Sequence, residues 1–158
     1  MQDTGGVIAV EDTHKRPILL VDNSPTDVEL TVGAFRKNGI TNNIIVVHDG
    51  TQALDLLLPS DDHEPLLPSI VLMDINMPRM GGLEALRRLR AVPTTQALPV
   101  IILSDSIEDR DVLESCHLNA NGFVQKPVSY YKFIEVAHHL GVNYLNIDPS
   151  TDPPTPSR

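Results

Sequence analysis

Four strand-like runs in this chain break off in a residue able to do chemistry. Ile18-Leu19-Leu20-Val21 runs into Asp22, Ile70-Val71-Leu72-Met73 into Asp74, Val100-Ile101-Ile102-Leu103 into Ser104, and Phe123-Val124-Gln125 into Lys126-Pro127. Two acids, a hydroxyl and an ammonium in one place are what a carboxylate needs to accept a phosphoryl group with a divalent cation. A carboxylate is a weak nucleophile toward an anionic donor, so a cation must screen the approach and a lysine must pair with the charge. A hydroxyl then donates a charge-assisted bond to the phosphoryl oxygens. Taken singly, each residue has a plainer reading. A strand-end Asp is commonly a helix cap or a solvated loop acid, and Asp22 precedes the cap-like Ser24-Pro25. By the same token Ser104 reads as an N-cap, Lys126 as a surface lysine and Phe123 as a core aromatic. The recurrence of one pattern at four strand ends favours a shared site over separate accidents.

The elements that must deliver these residues alternate strand and helix five times. Ser24-Pro25-Thr26-Asp27 offers a cap and a first-turn proline, and the helix it opens ends near Gly39. A second strand covers 44–47, a second helix 50–58, and an acidic, proline-bearing loop 59–68. Pro78 and Gly81-Gly82 turn the chain into a basic helix over 83–91; a fourth helix is expected over 108–117, a fifth strand over 121–125, and a last helix from Ser129. Continuous apolar strands separated by helices predict a parallel sheet covered on both faces. In such sheets ligands bind beyond the carboxyl ends of the strands. Residues 1–15 read as a flexible arm, 16–145 as one domain, and 146–158, with Pro149, Pro153, Pro154 and Pro156, as a disordered tail.

Composition narrows the classes. At 158 residues with 41% apolar side chains and no Trp, the chain suits one domain with an aliphatic core. A net charge of −9 argues against a nucleic-acid partner, which needs clustered Lys and Arg. Cys116 is the single cysteine and reads as a buried thiol in a reducing compartment. No apolar run approaches membrane-spanning length, so no membrane association and a cytoplasmic location are expected. His138-His139 diverge by about 100° on a helix and make a poor metal pair. Arg87, Arg88 and Arg90 read as a solvated helix face, and Gly81-Gly82 as turn punctuation rather than a phosphate loop.

With those motifs in order, the chain resembles the receiver domain of two-component response regulators over roughly residues 16–140. The resemblance implies a flavodoxin-like, doubly wound (βα)5 fold with a five-stranded parallel sheet in the order 2-1-3-4-5. It makes Asp74, within Met73-Asp74-Ile75-Asn76-Met77-Pro78, the phosphoacceptor for a histidine kinase. Asp22 and Asn23 stand at the magnesium-binding pair, with Asp74 and the Asn76 backbone carbonyl completing the Mg2+ site. Ser104 and Phe123 take the switch positions, Lys126 the lysine position. The stretch Asp22-Asn23-Ser24-Pro25-Thr26-Asp27, followed by Val46-Val47-His48-Asp49-Gly50, is similar to stand-alone regulators paired with phytochrome-type histidine kinases. That narrower likeness implies a homodimer through the face of the fourth helix, fifth strand and fifth helix.

Two departures bear on activity. Asn23 stands where the family usually has a second acid, which implies weaker Mg2+ binding. Asp105 follows Ser104 where the family prefers a small residue, adding a charge near the pocket mouth. The expectation is therefore a phosphoacceptor that signals by conformational change, not a metabolic enzyme. The alternatives are a phosphorylation-independent pseudo-receiver, its pocket decayed at Asn23, and a phosphate sink for its kinase. A phosphohydrolase would want an acid two residues after Asp74, where Asn76 stands.

Overall fold

The computed structural model describes residues 16–109 and 119–139. The predicted arm (1–15), most of the fourth predicted helix with Cys116, and the proline-rich tail (146–158) lie outside the described residues. Five parallel strands form one sheet in the order β2-β1-β3-β4-β5. They are β1 (Ile18–Val21), β2 (Ile44–Val47), β3 (Ile70–Asp74), β4 (Val100–Ser104) and β5 (Gly122–Gln125). Around them lie helices α1 (Pro25–Lys37), α2 (Gly50–Leu57), α3 (Gly82–Arg90) and α4 (Tyr130–His139). This is the flavodoxin-like receiver fold that the resemblance implied.

Alternation along each strand divides the core into two layers. Leu19, Val21, Val71, Met73, Val100 and Ile102 face α2 and α3, where Ala53, Leu57, Leu86 and Leu89 are buried. Ile18, Leu20, Ile70, Leu72, Ile101 and Leu103 face the other way, onto Phe35 of α1 and Phe133 of α4. Those two rings lie 4.5 Å apart at 34° and bridge the helices on that face. Every residue of β1, β3 and β4 is buried, which is why their sequences show no polar alternation. Polar side chains enter only at the strand ends. The register sets Asp74 beside Leu103 and Ser104 beside Gln125, so the ends of β3, β4 and β5 line up on one edge.

The helices begin and end for local reasons. Ser24 Oγ accepts from Asp27 N at 3.2 Å and Pro25 occupies the first turn of α1. That helix stops at Lys37, and Gly39 turns the chain with φ 90°. Asp49 caps α2 by accepting from Gln52 N at 3.0 Å. Helix α3 starts at Gly82, one residue before the expected Leu83, with Gly81 providing no side-chain cap. A 3-10 turn at Pro93–Thr95, not foreseen from the sequence, follows it; Thr95 Oγ1 donates to Leu89 O at 2.5 Å.

One expectation about α3 needs correction. Arg87 and Arg88 are exposed and pair with Glu84, as a solvated face would. Arg90 instead donates to Asn119 O at 3.1 Å, Thr95 O at 3.0 Å and Asn121 Oδ1 at 2.8 Å. Asn121 Oδ1 also accepts from Val100 N at 2.8 Å, so Arg90 ties α3 to the entries of β4 and β5. Its guanidinium is desolvated by burial, which lowers its pKa. Among the described residues no helix is long and apolar enough to cross a membrane.

Candidate functional site

At the carboxyl edge of the sheet, Lys126 reaches over the ends of β1 and β3. Its Nζ lies 2.9 Å from Asp22 Oδ2 and 2.9 Å from Asp74 Oδ2. The local backbone holds each acid. Asp22 Oδ1 accepts from Ser24 N at 3.0 Å, and Asp74 Oδ1 accepts from Asn76 N at 3.1 Å. Lys126 is set by its place after β5, where its N–H donates to Ser104 O at 2.7 Å. Asp22, Asp74 and the Lys126 side chain are almost wholly buried. Three of the four strand-end residues thus meet as expected.

A third carboxylate, not foreseen, joins them. Asp27 Oδ2 of α1 also lies 2.9 Å from Lys126 Nζ. In the sequence Asp27 reads as part of a helix start and of the stretch that resembles the stand-alone regulators, with no place in the pocket. The available signal was its position in the first turn of the helix leaving the Asp22 strand, which sets that turn above the same edge.

Ser104 is buried in the same edge, but its hydroxyl is turned to other partners. Oγ donates to Asp109 Oδ2 and accepts from Ser106 N at 3.1 Å. Asp109 was also missed, although Ser106-Ile107-Glu108-Asp109 has the spacing of a capping box. Asn23 is exposed at the mouth, as is Asp105, whose carbonyl accepts from Gln125 Nε2 at 3.2 Å. Phe123 is half-buried against the layer that includes Ile102 and Val100.

Electrostatics follow from this packing. Burial, the largest effect, pushes the Asp74 carboxyl above its usual range, and the nearby Asp22 charge adds to it; hydrogen bonds from Lys126 and the Asn76 amide act in opposition. For Lys126, burial works against the charged form, but hydrogen bonds to Asp22, Asp27 and Asp74 outweigh it and hold the ammonium above the ordinary lysine range. Three carboxylates around one ammonium leave the pocket with a net double negative charge.

A second ion pair braces the loop after β3. Arg79, at φ 63°, pairs with the wholly buried Asp49 at the head of α2. The Thr51 hydroxyl, the Gln52 amide and Arg79 lower the Asp49 carboxyl to about 2. Gly50 N donates to Met80 O at 3.0 Å, and Gly82 N to Ile75 O at 3.0 Å. The backbone carrying Asp74 and Asn76 is therefore fastened on both sides.

A divalent cation suits the oxygen donors at this edge: two strand-end carboxylates, a backbone carbonyl and an exposed amide are the kinds of ligand magnesium takes together with water. Among the described residues, no group of three His, Cys, Asp or Glu side chains is arranged to hold a metal by itself. The fit therefore rests on the mixed donor set.

Comparison with known proteins agrees with the geometry. Residues 18–138 match the response regulator receiver domain family. The chain is 29% identical to the probable methanogenesis regulatory protein FilR2 of Methanothrix harundinacea, with 96% of each protein covered. It is 37% identical to the bacteriophytochrome response regulator AtBRR, with a TM-score of 0.74 and coverage of 80% of this chain and 93% of that one. Against the Mn(2+)-bound form of response regulator Rcp1 the identity is 25% and the TM-score 0.65, covering 84% of this chain and 98% of that one; Rcp1 is a Synechocystis protein. With this sheet order, this edge and a match across most of its length, the chain belongs to the response regulator receiver domain family.

Proposed function

We propose that this receiver accepts a phosphoryl group on Asp74 from a histidine kinase and passes the signal on as a change of conformation. The observation that carries the reading is the shared ammonium: Lys126 Nζ holds Asp74 Oδ2 at 2.9 Å while Asp74 Oδ1 stays fixed by the Asn76 amide at 3.1 Å. In the transfer, an Asp74 carboxylate oxygen bonds to phosphorus as the bond to the kinase imidazole nitrogen breaks, and that nitrogen keeps the electron pair. Lys126 then exchanges its Asp74 contact for a phosphoryl oxygen. Ser104, leaving Asp109, donates to another. Magnesium held by Asp22, Asp74, the Asn76 carbonyl and the Asn23 amide would supply charge screening for the anionic donor. The Mn(2+)-bound relative supports a divalent ion in such a pocket.

Movement of Ser104 is the step that links chemistry to surface. A groove of about 370 Å³ beside β5 and α4 is lined by Ile107, Phe123, Gln125, Lys132, Glu135 and His139. It lies next to the Ser104 loop, and it supports that face as the site where a partner or a second copy is engaged. The likeness to AtBRR supports a kinase of the phytochrome type. Asn23 favours the second reading, a pseudo-receiver that binds partners unmodified.

Labelling with acetyl phosphate and magnesium separates the two. An alkali-labile adduct on Asp74, absent from Asp74→Asn, is expected. Undiminished labelling of Asp74→Asn would refute the acceptor assignment, and no labelling of the wild type would favour the pseudo-receiver.

A further inference from the structure

Position 23 lacks the acid that would stand beside Asp22, yet Lys126 still meets three carboxylates. Asp22, Asp27 and Asp74 each lie 2.9 Å from its Nζ. An ammonium has three N–H donors and no acceptor, so these acids use its whole capacity. The third of them reaches in from α1 rather than from a strand end. Asp27 sits in the first helical turn, with its own N–H on Ser24 Oγ at 3.2 Å. Its side chain is 33% exposed, against 1% for Asp22, so it joins the cluster from the solvent side.

The consequence is arithmetic in charge. With Asp27 the cluster of three carboxylates and one ammonium carries a net double negative charge, which one divalent ion neutralises. Without it, Lys126 cancels one of the two remaining acids and a single negative charge is left. Asp27 also gives the ammonium an anchor that does not change when Asp74 Oδ2 ceases to be its partner.

We propose that Asp27 is a positioning residue that replaces, from α1, the charge missing at position 23: it holds one donor of Lys126 and adds the negative charge by which Asp22 and Asp74 draw a divalent cation. The proposal rests on the reading of Asp22 and Asp74 as cation ligands, and the test separates the two.

Free Mn2+ is followed by electron paramagnetic resonance as it is titrated into the full chain, for the wild type, Asp27→Asn, Asn23→Asp, the Asn23→Asp/Asp27→Asn double variant, and Asp74→Asn. The expected result is about tenfold weaker binding for Asp27→Asn. That is the size of effect one unit charge has on a divalent ion from roughly 7 Å in a water-like dielectric. Asn23→Asp should bind more tightly than the wild type, and the double variant should return to within about threefold of it, because charge moves from one side of the pocket to the other. Rescue of this kind is not expected of a residue that only supports the fold. Equal binding by the wild type and Asp27→Asn, where Asp74→Asn has lost it, would overturn the proposal and leave the site reading standing. A loss in Asp27→Asn that Asn23→Asp fails to repair would also overturn it. A wild type that binds no Mn2+ while Asn23→Asp does would mean that Asp27 does not replace the missing acid. Binding undiminished in Asp74→Asn would remove the site reading, and the proposal with it.

Discussion

Gly82 provides a direct test of how the first turn of α3 fixes the backbone of Asp74. A Cβ built at Gly82 would lie 2.4 Å from the Asp74 carbonyl oxygen, 3.0 Å from Ile75 Cα and 3.2 Å from the Asp74 carbonyl carbon. Carbon-to-oxygen contacts of this sort ordinarily settle at about 3.3–3.6 Å, so the overlap approaches an ångström. All three atoms are backbone, and no rotamer change relieves them. Either α3 moves away, losing the 3.0 Å bond from Gly82 N to Ile75 O, or the end of β3 moves. The first is resisted by Ala85, Leu86 and Leu89, all fully buried, and the second by the ladder on both sides of β3. Overpacking of this kind costs about 1–3 kcal/mol and a lost hydrogen bond about 1 kcal/mol. Gly82→Ala is therefore expected to destabilise by about 2–4 kcal/mol, a fall of about 10 °C in Tm for a domain of this size. Gly33→Ala is the control. Its Cβ meets nothing within 4 Å, in the middle of α1, so it should gain about 0.5–1 kcal/mol. Thermal and urea unfolding by circular dichroism measure both. If Gly82→Ala unfolds within a degree of the wild type, the tight seating of α3 on Asp74 is wrong.

Two further outcomes follow from contacts outside the Lys126 cluster. The hydrogen bond from Ser104 Oγ to Asp109 Oδ2 competes with donation of the same proton to a phosphoryl group, so Asp109→Asn should bind beryllium fluoride several-fold more tightly with magnesium present. The gain should vanish in a Ser104→Ala background, and its persistence there would show that Asp109 acts by another route. The Asp49 carboxyl is held at about 2 against an ordinary 3.8, so folding draws on its ionised form. That stabilisation is complete above the ordinary value and is lost as pH falls through the folded one. Urea midpoints of the wild type should thus fall more steeply than those of Asp49→Asn between about pH 4 and 2, and parallel curves would contradict the hold of Thr51, Gln52 and Arg79 on the ionised carboxylate.

What could be read from the sequence, and what could not, has a physical basis. The central strands were legible because they are buried on both faces, so the first polar residue after each apolar run marks the sheet edge. That rule found Asp22, Asp74 and Ser104, while Lys126 was marked by the proline that ends the fifth run. Strand order is not written in such runs and came from the family resemblance. Asp27 escaped because a first-turn acid is already explained by helix capping, and its reach to Lys126 depends on how α1 sits against the sheet. Arg90 was misread for a similar reason. A basic residue in the last turn of an amphipathic helix looks solvated until the Asn119–Asn121 loop folds over it. The partner of Ser104 was hidden too, since a hydroxyl can choose between a phosphoryl group and a capping carboxylate five residues on, and only the loop geometry selects.

Asn23 makes the central question whether the pocket around Asp74 works as a switch. An amide NMR titration of the full chain with magnesium, then beryllium fluoride as a phosphoryl mimic, asks this most directly. Shifts at Asp74, Ser104 and Lys126 that extend to Phe123 and α4, and that disappear in Asp74→Asn, are the predicted result. A spectrum unmoved at concentrations that saturate other receivers would contradict it.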